Sequence, residues 1–196
     1  MFAWLKLLRR EHALPDDVSR PARVDFVGRV LSPNTCKSPI TLFQAALIDL
    51  VLLDRETIVR SSTILGEPNE TYNFTQLGAC RYGSGLVIAD DKGRELYVES
   101  VRAPRVVPIQ GMPLALDSPA PPELAGAARL SQHLLSYRET RFCEGDRVRV
   151  IATVTRARIA PQAGVMRGFG AGGYRDGSAP VLVPVEGERL ELRELL

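Results

Sequence analysis

The chain has 196 residues, with 25 basic and 23 acidic side chains and a formal net charge of +2. A composition of 45% hydrophobic and 24% charged residues excludes global disorder, and the near balance of charge argues against a strongly electrostatic nucleic-acid binder. Three cysteines, Cys36, Cys80 and Cys143, lie far apart without a CxxC pair, so a disulfide framework is excluded and a reducing compartment is the simpler expectation.

The N-terminal run Met1 to Arg10 is apolar but shorter than the roughly 20 residues that cross a bilayer. Its charges follow the apolar stretch, the reverse of a signal peptide. It reads as a short helix, docked on its own domain or lying at a membrane surface through Trp4, Lys6, Arg9 and Arg10. Ala13 to Pro21 reads as a linker, which makes 1–21 an extension and 22–196 one β-rich domain.

Ala22 to Leu31 alternates apolar and polar residues, a strand with a bulge or close approach at Gly28. Phe43 to Leu53 is a buried apolar run, assigned as a strand, with Asp54-Arg55 turning into Thr57 to Ile64. Gly66 to Gly78 is polar and loop-like. Leu86 to Ala89 and Glu95 to Val98 flank Asp90-Asp91-Lys92-Gly93, the strongest local signal in the chain, and predict a β-hairpin. Arg105 to Ile109 extends the sheet at an edge, where Pro104 and Pro108 are tolerated.

Pro121-Pro122-Glu123 opens the main predicted helix, about 123–137, whose apolar residues fall on one broad face. Glu144-Gly145-Asp146 is a turn, and Val148, Val150, Ala152 and Val154 form the inward face of a half-buried strand. Residues 164–178 form a glycine-rich loop, Ala179 to Val185 a short return strand, and the last residues a charged tail. Several short strands with long loops predict a mainly β fold: an OB-like, partly closed barrel with one main helix and a short N-terminal helix.

Three stretches together resemble a known family. They are Val27-Gly28-Arg29-Val30 followed by Ser38-Pro39-Ile40-Thr41, the apolar strand ending Asp90-Asp91-Lys92-Gly93, and Tyr137 to Val150, which has the form of an acid, a short apolar link and G-D-x-V-x-V. Their order and spacing are similar to the GIDE-type, or beside-a-membrane, domain of a mitochondrial membrane ubiquitin ligase and many bacterial proteins. The resemblance covers roughly Ala22 to Arg158. It implies an OB-like barrel, commonly beside a membrane, that contacts protein partners; the ligase's RING module and the family's flanking transmembrane helices have no counterpart. One departure is clear: where the family continues S-P-x-T-G, this chain has Leu42-Phe43-Gln44-Ala45.

No set of residues assembles into a catalytic or metal site on paper. Cys36, Cys80, Cys143 and His133 could form a Cys3His set, yet each would arrive alone rather than in ligand pairs. His133 and Cys143 lack an orienting third residue. Asp90-Asp91 are turn formers rather than paired acids. Gly168 to Gly173 has no helix after it to complete a phosphate loop. The expectation is a non-enzymatic interaction or scaffold module without a cofactor, cytoplasmic and possibly peripheral at a membrane's inner face. Partner contacts are placed at Arg147, Arg149, Arg167, Phe169, Tyr174 and Arg175. The same arginines and aromatics support the competing expectation, an OB-like single-strand nucleic-acid binder.

Overall fold

The computed structural model describes residues 14–15, 20–61, 68–83, 85–99, 105–107, 112–159, 179–188 and 190–195. Their strands are β1 (Ala22–Val30), β2 (Cys36–Lys37), β3 (Gln44–Ala45), β4 (Leu47–Ser61), β5 (Pro68–Tyr82), β6 (Gly85–Ala89) and β7 (Glu95–Glu99). These are followed by β8 (Arg105–Val107), β9 (Leu114–Ala115), β10 (Leu134–Phe142), β11 (Arg147–Ile159), β12 (Ala179–Pro184) and β13 (Leu190–Glu194). A 3-10 turn at Pro122–Leu124 runs into the short helix α1 (Ala125–Ala128). The mainly β expectation holds.

Five strands close into a barrel in the order β1-β6-β7-β12-β11, with β11 returning to β1. All the pairings are antiparallel except β7 with β12, which meet in parallel at Leu96 and Leu182. The alternation read from the sequence fills the interior: Val24, Phe26 and Val30 from β1, Leu86 and Ile88 from β6, Leu96 and Val98 from β7, and Val148, Val150, Ala152 and Val154 from β11 form one buried cluster. Gly28 lies next to Arg29, where β1 has β11 on one edge and β6 on the other. A Cβ there would lie 2.6 Å from both the Ala89 carbonyl oxygen and Ile88 Cγ2, so the close approach expected at this glycine is real.

The last residues are not a tail. Leu190 and Leu192 point into the barrel core and Glu191 holds Arg193, which makes β13 a strand alongside β11 with β8 at its outer edge. Leu14, read as linker, is fully buried in the same core. Its N–H donates to Asp90 Oδ2 at 3.1 Å. Asp90 also accepts from the N–H groups of Lys92 (2.9 Å) and Arg94 (3.0 Å) and from the Arg94 guanidinium (2.6 Å). One carboxylate therefore shapes the β6–β7 turn and ties the chain's beginning to it.

A second sheet, ordered β5-β4-β10-β9, grows from the barrel's end. Leu47 of β4 and Phe142 of β10 are partners in register and both are buried in the barrel core. From that pair the two strands run outward. On one face of this sheet Leu50 and Leu52 pack with Leu124, with Ala127, Leu135 and Tyr137 around them.

Here the sequence expectations need correction. The predicted helix over 123–137 ends at Ala128, and Leu134–Phe142 is strand. Asp54 interrupts the helix: its carboxylate accepts from the Ser131 hydroxyl (2.6 Å) and the His133 N–H (3.1 Å), and nine residues of β10 then pair with β4. Tertiary pairing overrides a helical periodicity that short apolar segments share with strands. Asp54-Arg55 is therefore not a turn, and β4 runs through it. The stretch read as a loop at 66–78 is largely β5: its polar look arises because residues on both its faces stay exposed, which removes the alternation.

Asp90 makes a testable case. Burial works to raise its pKa, but hydrogen bonds from the Arg94 guanidinium and from the Arg94 and Lys92 N–H groups outweigh it and hold the carboxyl below the ordinary 3.8. A depressed carboxylate contributes stability that is complete above the unfolded value and is lost as pH falls through the folded one. Asp90→Asn is expected to cost about 2–4 kcal/mol at neutral pH, since it leaves the buried Arg94 contact unmatched. Urea unfolding at pH 7 and pH 3 checks this: the gap between variant and native protein should shrink at the lower pH.

Candidate binding site

The two sequence-predicted arginines that are described sit on the outside of the barrel. Arg147 and Arg149 alternate with inward Val148 and Val150 on β11 and are exposed. Arg149 is committed to an ion pair, its Nε and Nη2 donating to the two carboxylate oxygens of Asp25 on β1 at 2.8 Å each. Around them Arg23, Arg29 and Arg193 are also exposed. The register places Arg29 opposite Arg147 and Arg193 opposite Arg149. Arg167, Phe169, Tyr174 and Arg175, and Trp4, Lys6, Arg9 and Arg10, lie outside the described residues. Among the described residues no helix is long and apolar enough to cross a membrane.

The titratable side chains do not assemble into a reaction centre. Among the described residues no three potential ligands gather for a metal. Burial raises the thiols of Cys36 and Cys80, and Cys36 Sγ donates to the Ala45 carbonyl at 2.9 Å. His133 is not helical but lies in the turn before β10, with Nδ1 2.9 Å from Asp54 Oδ2, and that hydrogen bond raises its pKa. The arrangement orients an imidazole, yet Ser131, the neighbouring hydroxyl, is engaged with Asp54 and the His133 carbonyl rather than with the ring. A nucleophile–base pair is not built there.

The loop between β2 and β3 is built to a different standard. Ser38 is buried, and its hydroxyl accepts from the N–H groups of Ile40 (3.1 Å) and Thr41 (3.0 Å) while donating to Glu139 Oε2. The Thr41 hydroxyl donates to Glu139 Oε1 at 2.8 Å. Backbone bonds close the loop on itself, Ser38 N–H to the Phe43 carbonyl (2.9 Å) and Leu42 N–H to the Ser38 carbonyl (3.2 Å). Glu139 projects from β10 with its side chain only 6% exposed, and Arg141 Nε stands 3.7 Å from it. Glu139 is the acid that opens the third stretch of the resemblance, but its pairing with Ser38 and Thr41, 101 and 98 residues upstream, could not be read from the sequence.

This bracing holds an unusual tip. Leu42 has φ of +62°, the left-handed region, and is the only described non-glycine residue there. For a branched side chain that conformation costs on the order of 1 kcal/mol, and glycine adopts it without that cost. Leu42 is nevertheless 61% exposed, and Phe43 beside it is 60% exposed. The Arg141 guanidinium carbon lies 4.5 Å from the Phe43 ring centroid, and Lys37 is exposed at the loop's start. Two large apolar side chains are thus fixed outward next to two cations, on a loop whose backbone has little freedom.

Truncating the brace and relieving the strain have opposite expected effects. Glu139→Ala leaves two hydroxyls without their acceptor and is expected to destabilise by about 2–3 kcal/mol, read as a lower urea midpoint. Leu42→Gly removes the left-handed penalty and is expected to raise that midpoint, by about 0.5–1 kcal/mol. A Leu42→Gly protein that is less stable than the native one would contradict the strain assignment. Comparison with protein-family models, with curated proteins and with solved structures gives no match for this chain.

Proposed function

We propose that the chain is a non-catalytic protein-interaction or scaffold module: an OB-like barrel that carries the Leu42–Phe43 tip as its partner contact. The observation behind this reading is the left-handed, outward Leu42. A soluble fold gains nothing from exposing a leucine at the expense of backbone strain, whereas an interface gains a rigid apolar anchor with its ordering cost already met. Interface hot spots are enriched in arginine and large aromatics, and Arg141 stands over the exposed Phe43 ring beside Leu42. The GIDE-type resemblance supports the same reading. Its Ser38-Pro39-Ile40-Thr41 motif is held by Glu139, the acid that opens its Tyr137–Val150 motif, and its one clear departure is the anchor itself. In this reading the protein works in the cytoplasm, beside the inner face of a membrane.

A second reading, single-stranded nucleic-acid binding, rests on one specific observation: Arg23, Arg29, Arg147, Arg149 and Arg193 share the outer face of β1, β11 and β13. Asp25 and Glu191 are paired into that face, which lowers its net charge.

The two readings separate by variant. Affinity capture from native lysate should recover a partner with the native protein and with Arg147→Ser/Arg149→Ser, and lose it with Leu42→Ser/Phe43→Ser. Anisotropy of a labelled oligonucleotide at low salt, where the phosphate contribution is greatest, should show no binding. Capture that survives the tip variant, or oligonucleotide binding abolished by the arginine variant, would reverse the order of the two readings.

A further inference from the structure

The hairpin of β4 and β5 is longer than the sheet that supports it. Each strand has 15 residues, but β10 pairs with β4 only from Leu47 to Arg55. Beyond that, Glu56 to Ser61 pair with Pro68 to Asn73 as a two-stranded ribbon. Isolated two-stranded ribbons are marginal in water, and this one has exposed side chains on both faces, among them Glu56, Thr57, Val59, Glu70, Thr71 and Asn73. The outer edge of β5 has no strand beside it among the described residues. That edge also lacks the usual guards, since Thr71 to Cys80 contains neither a charged residue nor a proline.

We infer that β5 pairs antiparallel with β5 of a second copy, joining two four-stranded sheets into one of eight. The strand is complementary to itself. Glu70 and Arg81 stand at the two ends of the uncharged stretch, and an antiparallel register that opposes them satisfies both symmetry-related ends. The same register sets Thr71 against Cys80 and Tyr72 against Ala79, a large side chain against a small one.

Directly opposed residues must lie on one face of a sheet, and in a regular strand residues 70 and 81 do not. The bulge in β5 changes that. Leu52 faces Gly78 whereas Leu53 faces Gln76, so one extra residue is taken up between them. As a result Glu70, opposite Val59, and Arg81, opposite Asp49, share a face, and Thr71, opposite Ile58, shares the other with Cys80, opposite Leu50. In this register the bulge falls beside the two-fold axis. Arg81 already holds Asp49 at 2.7 Å, and Glu70 of the second copy joins that pair rather than replacing it.

A cysteine pair tests the register directly. Residues 71 and 80 of one strand are too far apart to join within a chain, so a Thr71→Cys protein carrying Cys36→Ser and Cys143→Ser can form that disulfide only between copies. The expected result is a dimer, about twice 21.5 kDa, by light scattering of the native protein. The Thr71→Cys protein should give a covalent dimer on mild oxidation that Cys80→Ser abolishes. Thr75 is exposed, so Thr75→Lys leaves the fold intact. It should weaken self-association about fivefold or more by setting like charges near the axis, and mixing it with Thr75→Glu should restore dimers. A native protein that stays monomeric at tens of micromolar, or a dimer indifferent to Thr75→Lys or cross-linked without Cys80, overturns the inference. Capture of a foreign strand by a monomer overturns it equally. None of these outcomes depends on the Leu42–Phe43 tip.

Discussion

Barrel closure depends on β1 serving two neighbours along one strand. Its one edge pairs with β11 from Ala22 to Arg29, and at Arg29 and Val30 its other edge pairs with β6. The strands crowd together there, and at Gly28 the space left would not hold a single methyl group. Without the β1–β6 pairing the five strands would remain an open sheet with two bare edges. The inward side chains of β1, β6, β7 and β11 share one core because the sheet closes there.

The second sheet inherits its position from that core. Leu47 and Phe142 are simultaneously the first rung of the β4–β10 ladder and part of the barrel's interior. The sheet's root is therefore fixed by burial, while its far end, past Arg55, is fixed only by strand pairing within the hairpin. Glu139 lies between these extremes. It is near enough to the root to be rigid and near enough to the surface to reach Ser38 and Thr41. A rigid acid at that height lets a short loop hold a conformation its own sequence disfavours.

How much of this was legible follows from the range of each interaction. Strands β1 and β11 were readable because one face is buried and the other more solvated, so period two survives in the residues, whereas β6 and β7, buried on both faces, were readable as short apolar runs flanking a turn. The β6–β7 turn was readable because Asp90 and Gly93, with its φ of +75°, are local requirements. By contrast, β5 loses its alternation because only its end near Leu77 to Tyr82 is covered, by Leu124 and Ala127, while Glu70 to Gln76 includes exposed residues on both faces. Residues 129–133 look helical until Asp54, more than seventy residues away, takes Ser131 and His133 out of the helix. The bracing of the tip was invisible for the same reason, since Glu139 is about a hundred residues from the serine it holds. The departure at Leu42 was visible as a residue change, but its meaning required the backbone angle.

Where a fold departs from self-consistency says where its work is done. Among the described residues the barrel's core is apolar, its turns at Gly93, Gly145 and Gly187 carry the glycines they require, and Arg149 and Arg193 are matched by Asp25 and Glu191. Both departures belong to the second sheet and the loop bound to it. One is a leucine in a conformation that favours glycine, exposed when it could have been replaced at no cost to packing. The other is an edge strand whose stretch Thr71 to Cys80 carries no charge and no proline, where natural sheets place charge, proline or a cover. Each costs stability in isolation and is relieved by contact with another surface, the leucine by burial and the edge by a strand. The two need different surfaces, one apolar and receptive, the other extended and self-complementary. On the two proposals above, a molecule that offers both would pair with its own copy through the sheet while presenting two tips to a partner.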